Sequence, residues 1–333
     1  MAAERQESMP APAKPFFSIV VPTWNRGRLI GETIDSLLNQ DFPASQYEVI
    51  VVDDGSTDDT TERLEPFLGR IQVIRQPKSG IAAARNLGAR HAAGDYMVPF
   101  DSDDIMLPHA LNVYKMVIET FQRPPVVLSS NGWFCAEQRP DFFANEPDRI
   151  ECIRCNDYFG KAVQTGTFSV ISVLRLDSVL RTGGYSQDCF EDSDLIFRLG
   201  TIGPMIKILK PITAAVRLHD SNSTRSLCFL TEGLITRIRN ERHGVYPGGW
   251  RRMLDRRGLI GSDALSCLKH YYIGARHAPV GQRLWHTVRV LAHLRGMVPA
   301  ALLRKCLSWF YFREARTIEY PRCRCNATSS HRS

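Results

Sequence analysis

Residues 47–68 read YEVIVVDDGSTDDTTERLEPFL, and this stretch decides the fold. Tyr47–Val52 is a short apolar run rich in β-branched residues, which reads as a strand buried on both faces. The run stops at Asp53, Asp54 and Gly55. Ser56 or Thr57 can cap a helix that continues to Leu68, with Asp58 and Asp59 at its electropositive end. Strand, acidic turn and helix in that order are one half of a βαβ unit.

The same order recurs on either side. FFSIVVP at 16–22 is a first strand, and Leu29, Ile30, Ile34, Leu37 and Leu38 recur at helical spacing within 28–39. Ile71–Arg75 is a third strand. Gly80 opens an Ala-rich helix that Gly94 closes, and Tyr96–Phe100 is a fourth strand. Strands alternating with helices predict an α/β, Rossmann-like, mostly parallel sheet flanked by helices, with right-handed crossovers. Beyond Pro108 the pattern predicts a helix over 109–121, a strand over 126–130 and an irregular, loop-rich stretch over 135–165. A strand over 168–174, helices over 176–182 and 191–199, and an extended segment over 211–218 follow. Residues 225–333 read as helices with basic faces, broken by Gly and Pro around Tyr246–Gly249. The organisation expected is a disordered leader (1–15), a domain over 16–226 and a basic helical extension over 227–333. Within the domain, two parts are expected, 16–108 and 109–226.

Charge divides the chain the same way. Residues 1–224 hold 22 Lys/Arg against 29 Asp/Glu, whereas 225–333 hold 20 against 6, and the whole chain carries a formal +7. The acidic part suits a cation; the basic part suits phosphates or an anionic surface. Nine cysteines without a secretory leader read as reduced thiols and a cytoplasmic location, at the cytoplasmic face of a membrane if the tail docks there. No stretch is apolar enough to cross a bilayer; Leu284–Phe312 comes nearest but is broken by Arg289, Arg295, Arg304 and Lys305.

In an open parallel sheet, ligands bind beyond the carboxyl ends of the strands. Those ends carry Pro22-Thr23-Trp24-Asn25, then Asp53-Asp54, then Asp101-Ser102-Asp103-Asp104. Five carboxylates on one rim call for a cation, and oxygen ligands with phosphate suit Mg²⁺ or Mn²⁺. Neither G-x-G-x-x-G nor G-x-x-x-x-G-K-[ST] supplies a glycine cradle for the phosphates, so a metal at Asp101 and Asp103 must neutralise them.

The run SIVVPTWNRG (18–27), VIVVDDGSTDDT (49–60), SGIAAARNLG (79–88), GDYMVPFDSDD (94–104) and GGYSQDCFEDSDLIFRL (183–199) resembles the inverting family 2 glycosyltransferases with the GT-A fold. The resemblance implies metal-dependent transfer of one sugar from a nucleotide-diphosphate donor, UDP-sugars being commonest among relatives, to a hydroxyl acceptor. It implies that 16–108 is the nucleotide-binding part and 109–226 the acceptor part, with a donor site of Pro22, Trp24, Asp54, Arg85, Asp101 and Ser102. Trp24 would stack near the base, Asp54 would bond it and Arg85 would face the nucleotide or its phosphates. Asp103 would bind the metal directly, joined by Asp101 and His219, and Asp192 would be the catalytic base. Asp53 and Asp104 read as turn residues. The family's processive synthases carry Q-x-x-R-W and transmembrane helices, both missing here. The basic, aromatic tail suits a lipid-linked or cell-surface polysaccharide acceptor and peripheral membrane contact; nucleic acid is not an expected partner. Two other readings stand beside it: nucleotidyl transfer, which would use the metal at Asp101 and Asp103 but not Asp192, and a nucleotide-sugar binding or scaffold module without turnover.

Overall fold

The computed structural model describes residues 14–135, 147–159, 171–187, 191–218, 227–269, 278–294 and, for the backbone, 315–319. The first elements are β1 (Phe17–Thr23), α1 (Ile30–Leu38), β2 (Tyr47–Asp53), α2 (Thr60–Leu64), β3 (Gln72–Arg75), α3 (Ile81–His91) and β4 (Tyr96–Pro99). Every residue of β1 is buried, which is why its sequence is continuously apolar rather than alternating. Each fully buried Val or Ile there contributes about 1.5–3 kcal/mol. Helix α1 buries Ile30, Thr33, Ile34 and Leu37, one stripe at helical spacing.

Helix α3 is bound to the sheet more closely than α1. It starts at Gly80, whose φ of 94° favours glycine. A Cβ at Gly88 would stand 2.3 Å from Val20 Cγ1, so the helix backbone can lie against β1 only with glycine there. It ends at His91, three residues before Gly94, which instead lies in the turn leading to β4. Helix α2 begins at Thr60 rather than at Ser56, because the Ser56 hydroxyl is engaged with Asn25 and caps no helix.

The second half adds β5 (Ile105–Met106), α4 (Ala110–Thr120), β6 (Val126–Leu128), β7 (Asn131–Phe134), β8 (Arg149–Cys155), β9 (Ser172–Arg175), α5 (Leu176–Arg181), α6 (Glu191–Leu199), β10 (Met205–Lys210) and β11 (Ala214–Arg217). Strand β8 occupies part of the stretch expected to be irregular, and β10 was not expected. Three further helices follow, α7 (Leu227–Arg242), α8 (Met253–Lys269) and α9 (Val280–His293), then β12 (Ala315–Glu319).

Among the described residues, the main sheet has nine strands in the order β12-β8-β10-β6-β9-β4-β1-β2-β3. Strands β1 to β4 run parallel, and the pairings put β6, β10 and β12 in the same direction; β9 and β8 alone are reversed. A second sheet, β5-β11-β7, has three strands. Its pairing of Ala215 with Ile105 brings the end of β11 beside the loop that follows β4.

One apolar cluster lies between the sheet and α1 and α4. The other joins Phe159, Phe197 and Leu195 to Leu234, Ile238, Tyr246, Ile260 and Val290 of the last three helices. Those helices also bury ion pairs: Arg237 to Asp263 at 2.7 Å and Arg256 to Glu241 at 2.5 Å.

Candidate active site

The rim of the parallel strands assembles the acids. Thr23 and Asp53 are register partners at the tips of β1 and β2, and the Asp54 N–H donates to the Thr23 carbonyl at 2.9 Å. The Phe100 N–H donates to the Val20 carbonyl at 2.9 Å, so the chain leaves β4 beside β1 and enters the acidic loop.

In that loop Asp101, Asp103 and Asp104 each bring a carboxylate oxygen within 4.8 Å of the others. Burial and the nearby charge of Asp103 and Glu191 raise the Asp101 carboxyl above its ordinary range, against the pull of Arg85. Asp104 is raised well above, by burial and by Asp101 and Asp103. One Asp104 oxygen receives the Arg217 N–H at 3.0 Å, which makes this acid a brace for the loop. Arg217 Nε donates to the Asp103 carbonyl at 3.0 Å and its Nη2 to Glu32 at 2.5 Å. Arg217 therefore ties the acidic loop to β11 and α1. Arg26 Nε lies 3.4 Å from Asp103 Oδ2. Asp101 and Asp103 remain as two partly exposed carboxylates on the rim, a donor set that fits Mg²⁺ or Mn²⁺. Ser102 is buried between them.

Arg85 is the centre of the arrangement. It projects from α3 and is 3% exposed. Its Nη1 donates to Glu191 Oε1 at 2.6 Å and to Asp192 Oδ2 at 2.8 Å, and its Nη2 donates to Asp101 Oδ1 at 2.8 Å. The guanidinium fork suits this task because its donors point in two fixed directions. Arg85 thus faces three carboxylates on the rim. Asp192 sits in the first turn of α6 and keeps 38% of its side-chain surface open. Burial pushes its pKa to about 7; Arg85 opposes the rise, and Glu191 and Asp101 add to it. Asp194, two positions on, is structural: it accepts bonds from Arg198, Ser186, Tyr246 and Asn240.

The residues that the resemblance assigns to the base lie at the tips of β1 and β2. Pro22 is buried in β1 opposite Val52. Trp24 is 47% exposed rather than in the core, and Lys78 Nζ rests 3.7 Å from its ring centroid. The same ammonium lies 3.0 Å from Asp54 Oδ2. Asp54 also accepts Gln76 Nε2 at 2.7 Å, Ser79 N at 2.8 Å and Gly80 N at 2.9 Å. Burial of Asp54 is outweighed by these donors, which hold its carboxyl below its ordinary value. Asp53 takes the turn role: its Oδ1 accepts the Ser56 N–H at 2.9 Å. His219 lies outside the described residues.

Sequence reasoning brought Asp101, Asp103 and Asp192 to one site, with Arg85 between them. It missed Arg26, Lys78, Glu32 and the bracing role of Arg217. Arg26 was legible as a cation directly after a strand tip, but Glu32 and Arg217 meet only through the second sheet.

Residues 18–172 match the family described as Glycosyl transferase family 2. Over that stretch, a little under half of its length, the chain carries a glycosyltransferase family 2 domain. The Staphylococcus aureus poly(ribitol-phosphate) β-N-acetylglucosaminyltransferase TarS is 31% identical over 120 residues, which cover 35% of this chain and 21% of that relative's length. The crystal structure of residues 1–349 of TarS in complex with UDP superposes with a TM-score of 0.57 at 17% identity, covering 88% of each chain. The mannosyltransferase PcManGT from Pyrobaculum calidifontis, in complex with GDP-Man and Mn²⁺, gives 0.51 at 18% identity, covering 92% of this chain and 91% of that one. These structures share the GT-A fold with this chain. Conversely, the chain spans only about a fifth of the length of TarS.

Proposed function

We propose that this family 2 glycosyltransferase moves a single sugar from a nucleotide-diphosphate donor, UDP-linked, to a hydroxyl on a saccharide or lipid-linked acceptor, with inversion at the anomeric carbon. The observation that carries the reading is the Arg85 fork, which joins Asp101 on the β4 loop to Asp192 on α6 at 2.8 Å each. A cation-binding acid and a base are thereby held on either side of one guanidinium.

In this reading Asp192 takes the acceptor proton while the acceptor oxygen attacks the anomeric carbon. The bond from that carbon to the diphosphate oxygen breaks, and its electron pair leaves with the diphosphate. A carboxylate with a pKa near 7 suits the first task. Asp101 and Asp103 would hold Mg²⁺ or Mn²⁺, whose contribution is to neutralise charge on the departing diphosphate. Arg85 keeps Asp192 oriented and Glu191 paired. Trp24 and Asp54 would receive the base, and His219 would join the metal ligands. A UDP donor is supported by the crystallised complexes of TarS with UDP and UDP-GlcNAc. Mn²⁺ is supported by the PcManGT complex.

The test is a panel of UDP-, GDP- and TDP-sugars incubated with the full chain and Mn²⁺, with released nucleotide measured. Release of UDP from a UDP-sugar, increased by saccharide acceptors, is the expected result. Pyrophosphate release from a nucleoside triphosphate and a sugar phosphate would contradict it, as would binding without release for every donor.

A further inference from the structure

Helix α9 is apolar on two sides. One side packs on α7, where Val290 is buried and the buried His286 ring meets the Thr231 hydroxyl at 2.9 Å. The other side carries Val280 (70% exposed), Leu284 (61%), Val288 (52%) and Leu291 (53%). At 3.6 residues per turn these four fall within about 80° of arc. Trp285, 62% exposed, borders them. Surface leucines and valines scattered singly mean little, but a continuous stripe of this kind marks a contact surface.

Charge identifies the partner. From Ala264 to Arg313 the sequence holds eight Lys or Arg and no Asp or Glu. A protein partner would have to supply a long acidic surface opposite an apolar strip. A bilayer with anionic headgroups offers both properties at once: acyl chains for the stripe and negative charge for the arginines. Trp285 adds a side chain suited to the headgroup level.

We propose that α9 docks the protein, helix axis parallel to the surface, on an anionic lipid bilayer. The stripe enters the headgroup boundary while Arg283 and Arg289 flank it; Arg289 also pairs with Glu232 at 2.6 Å, which fixes the helix to α7. Helix α7 in turn donates from Asn240 to Asp194 at 3.1 Å, in the same helix as Asp192. The lipid surface is thus connected by direct contacts to the helix that carries the proposed base.

The experiment is co-sedimentation of the full-length chain with phosphatidylcholine vesicles and with vesicles also containing phosphatidylglycerol. Expected is binding to the anionic vesicles, lowered by high salt, and at least a tenfold loss in the Leu284→Asp/Leu291→Asp double variant. Both positions are solvent-facing, and an unchanged thermal transition will show that the variant is folded. A Trp285→Ser variant, with a smaller loss, provides an independent reading. Equal binding to both vesicle types, or undiminished binding by the double variant, would overturn the proposal. So would a wild-type dimer that the double variant abolishes while neither form sediments with vesicles, since that result makes the occupant a second copy. Nucleotide release from donor, measured in parallel without vesicles, should be unchanged by these substitutions, which separates lipid docking from the transfer reaction.

Discussion

Arg85 Nη1 donates to Asp192 Oδ2 at 2.8 Å, across 107 positions of sequence. This bond joins α3 to α6, and the other arm of the same guanidinium reaches Asp101. Replacing Arg85 by Ala strands three carboxylates around a buried vacancy. Breaking a buried charge cluster by removing one partner costs about 3–5 kcal/mol. Arg85→Ala should therefore lower the urea midpoint by that equivalent and reduce transfer at least 100-fold, within the range expected for a misplaced base. Arg85→Lys should recover more stability than rate, because an ammonium cannot span both arms. Equal recovery of both would show that charge alone matters there.

Asp192→Asn should leave donor binding intact and cut the rate by about 10²–10⁴-fold, the usual worth of a general base. The pH dependence follows from the raised pKa. Below about 7 Asp192 is protonated and cannot accept a proton; above it the carboxylate is free. The transfer rate should rise through about pH 7 to a plateau, and the rise should vanish in Asp192→Asn. A rate that is flat across that range in the wild type would remove Asp192 from the role.

Lys78 covers the Trp24 ring and completes four donors on the Asp54 carboxylate. Two carboxylate oxygens offer about four acceptor sites, so a nucleobase reaching Asp54 must displace one donor. Lys78 is the half-exposed one. Its ion pair and ring contact together are worth about 1 kcal/mol. Lys78→Met should thus bind UDP about fivefold more tightly by calorimetry. Weaker binding would mean that Lys78 contacts the bound nucleotide.

Buried charge ties the last helices to one another, beside the Phe197 ring of α6. Arg237 is 1% exposed, pairs with Asp263 at 2.7 Å and stacks 5.8 Å from the Phe197 ring centroid. Asp263→Ala should cost about 3 kcal/mol by equilibrium denaturation, because it removes a carboxylate that pairs with a buried cation. A cost below about 1 kcal/mol would show that water reaches Arg237.

Strands β1, β2 and β4 were legible because most of their side chains are buried on both faces, which writes a continuous apolar run such as Ile19–Val21 or Val49–Val52. Helix α1 was legible from its single apolar stripe. Strand β8 was not: Arg149, Glu151 and Arg154 interrupt Ile150, Cys152 and Ile153, and a strand near the sheet edge tolerates that mixture. The acidic rim could be read from strand ends alone. What stayed hidden were contacts made by distant segments, such as Arg85 with Glu191 and Arg217 with Glu32, because nothing local encodes an ion pair across 106 or 185 positions. Asp54 shows a subtler gap, since its turn position was plain but not its saturation by the 76–80 loop.

The central claim is that the acids of the β4 loop hold a divalent cation which makes diphosphate binding possible. Calorimetric titration of UDP into the full chain, with Mn²⁺ and again after chelation, tests it most directly when repeated on Asp103→Ala. The account predicts binding that requires Mn²⁺ in the wild type and is lost in the variant, with the fold retained. Equal UDP affinity with and without Mn²⁺, or an Asp103→Ala protein that binds as the wild type does, would contradict it.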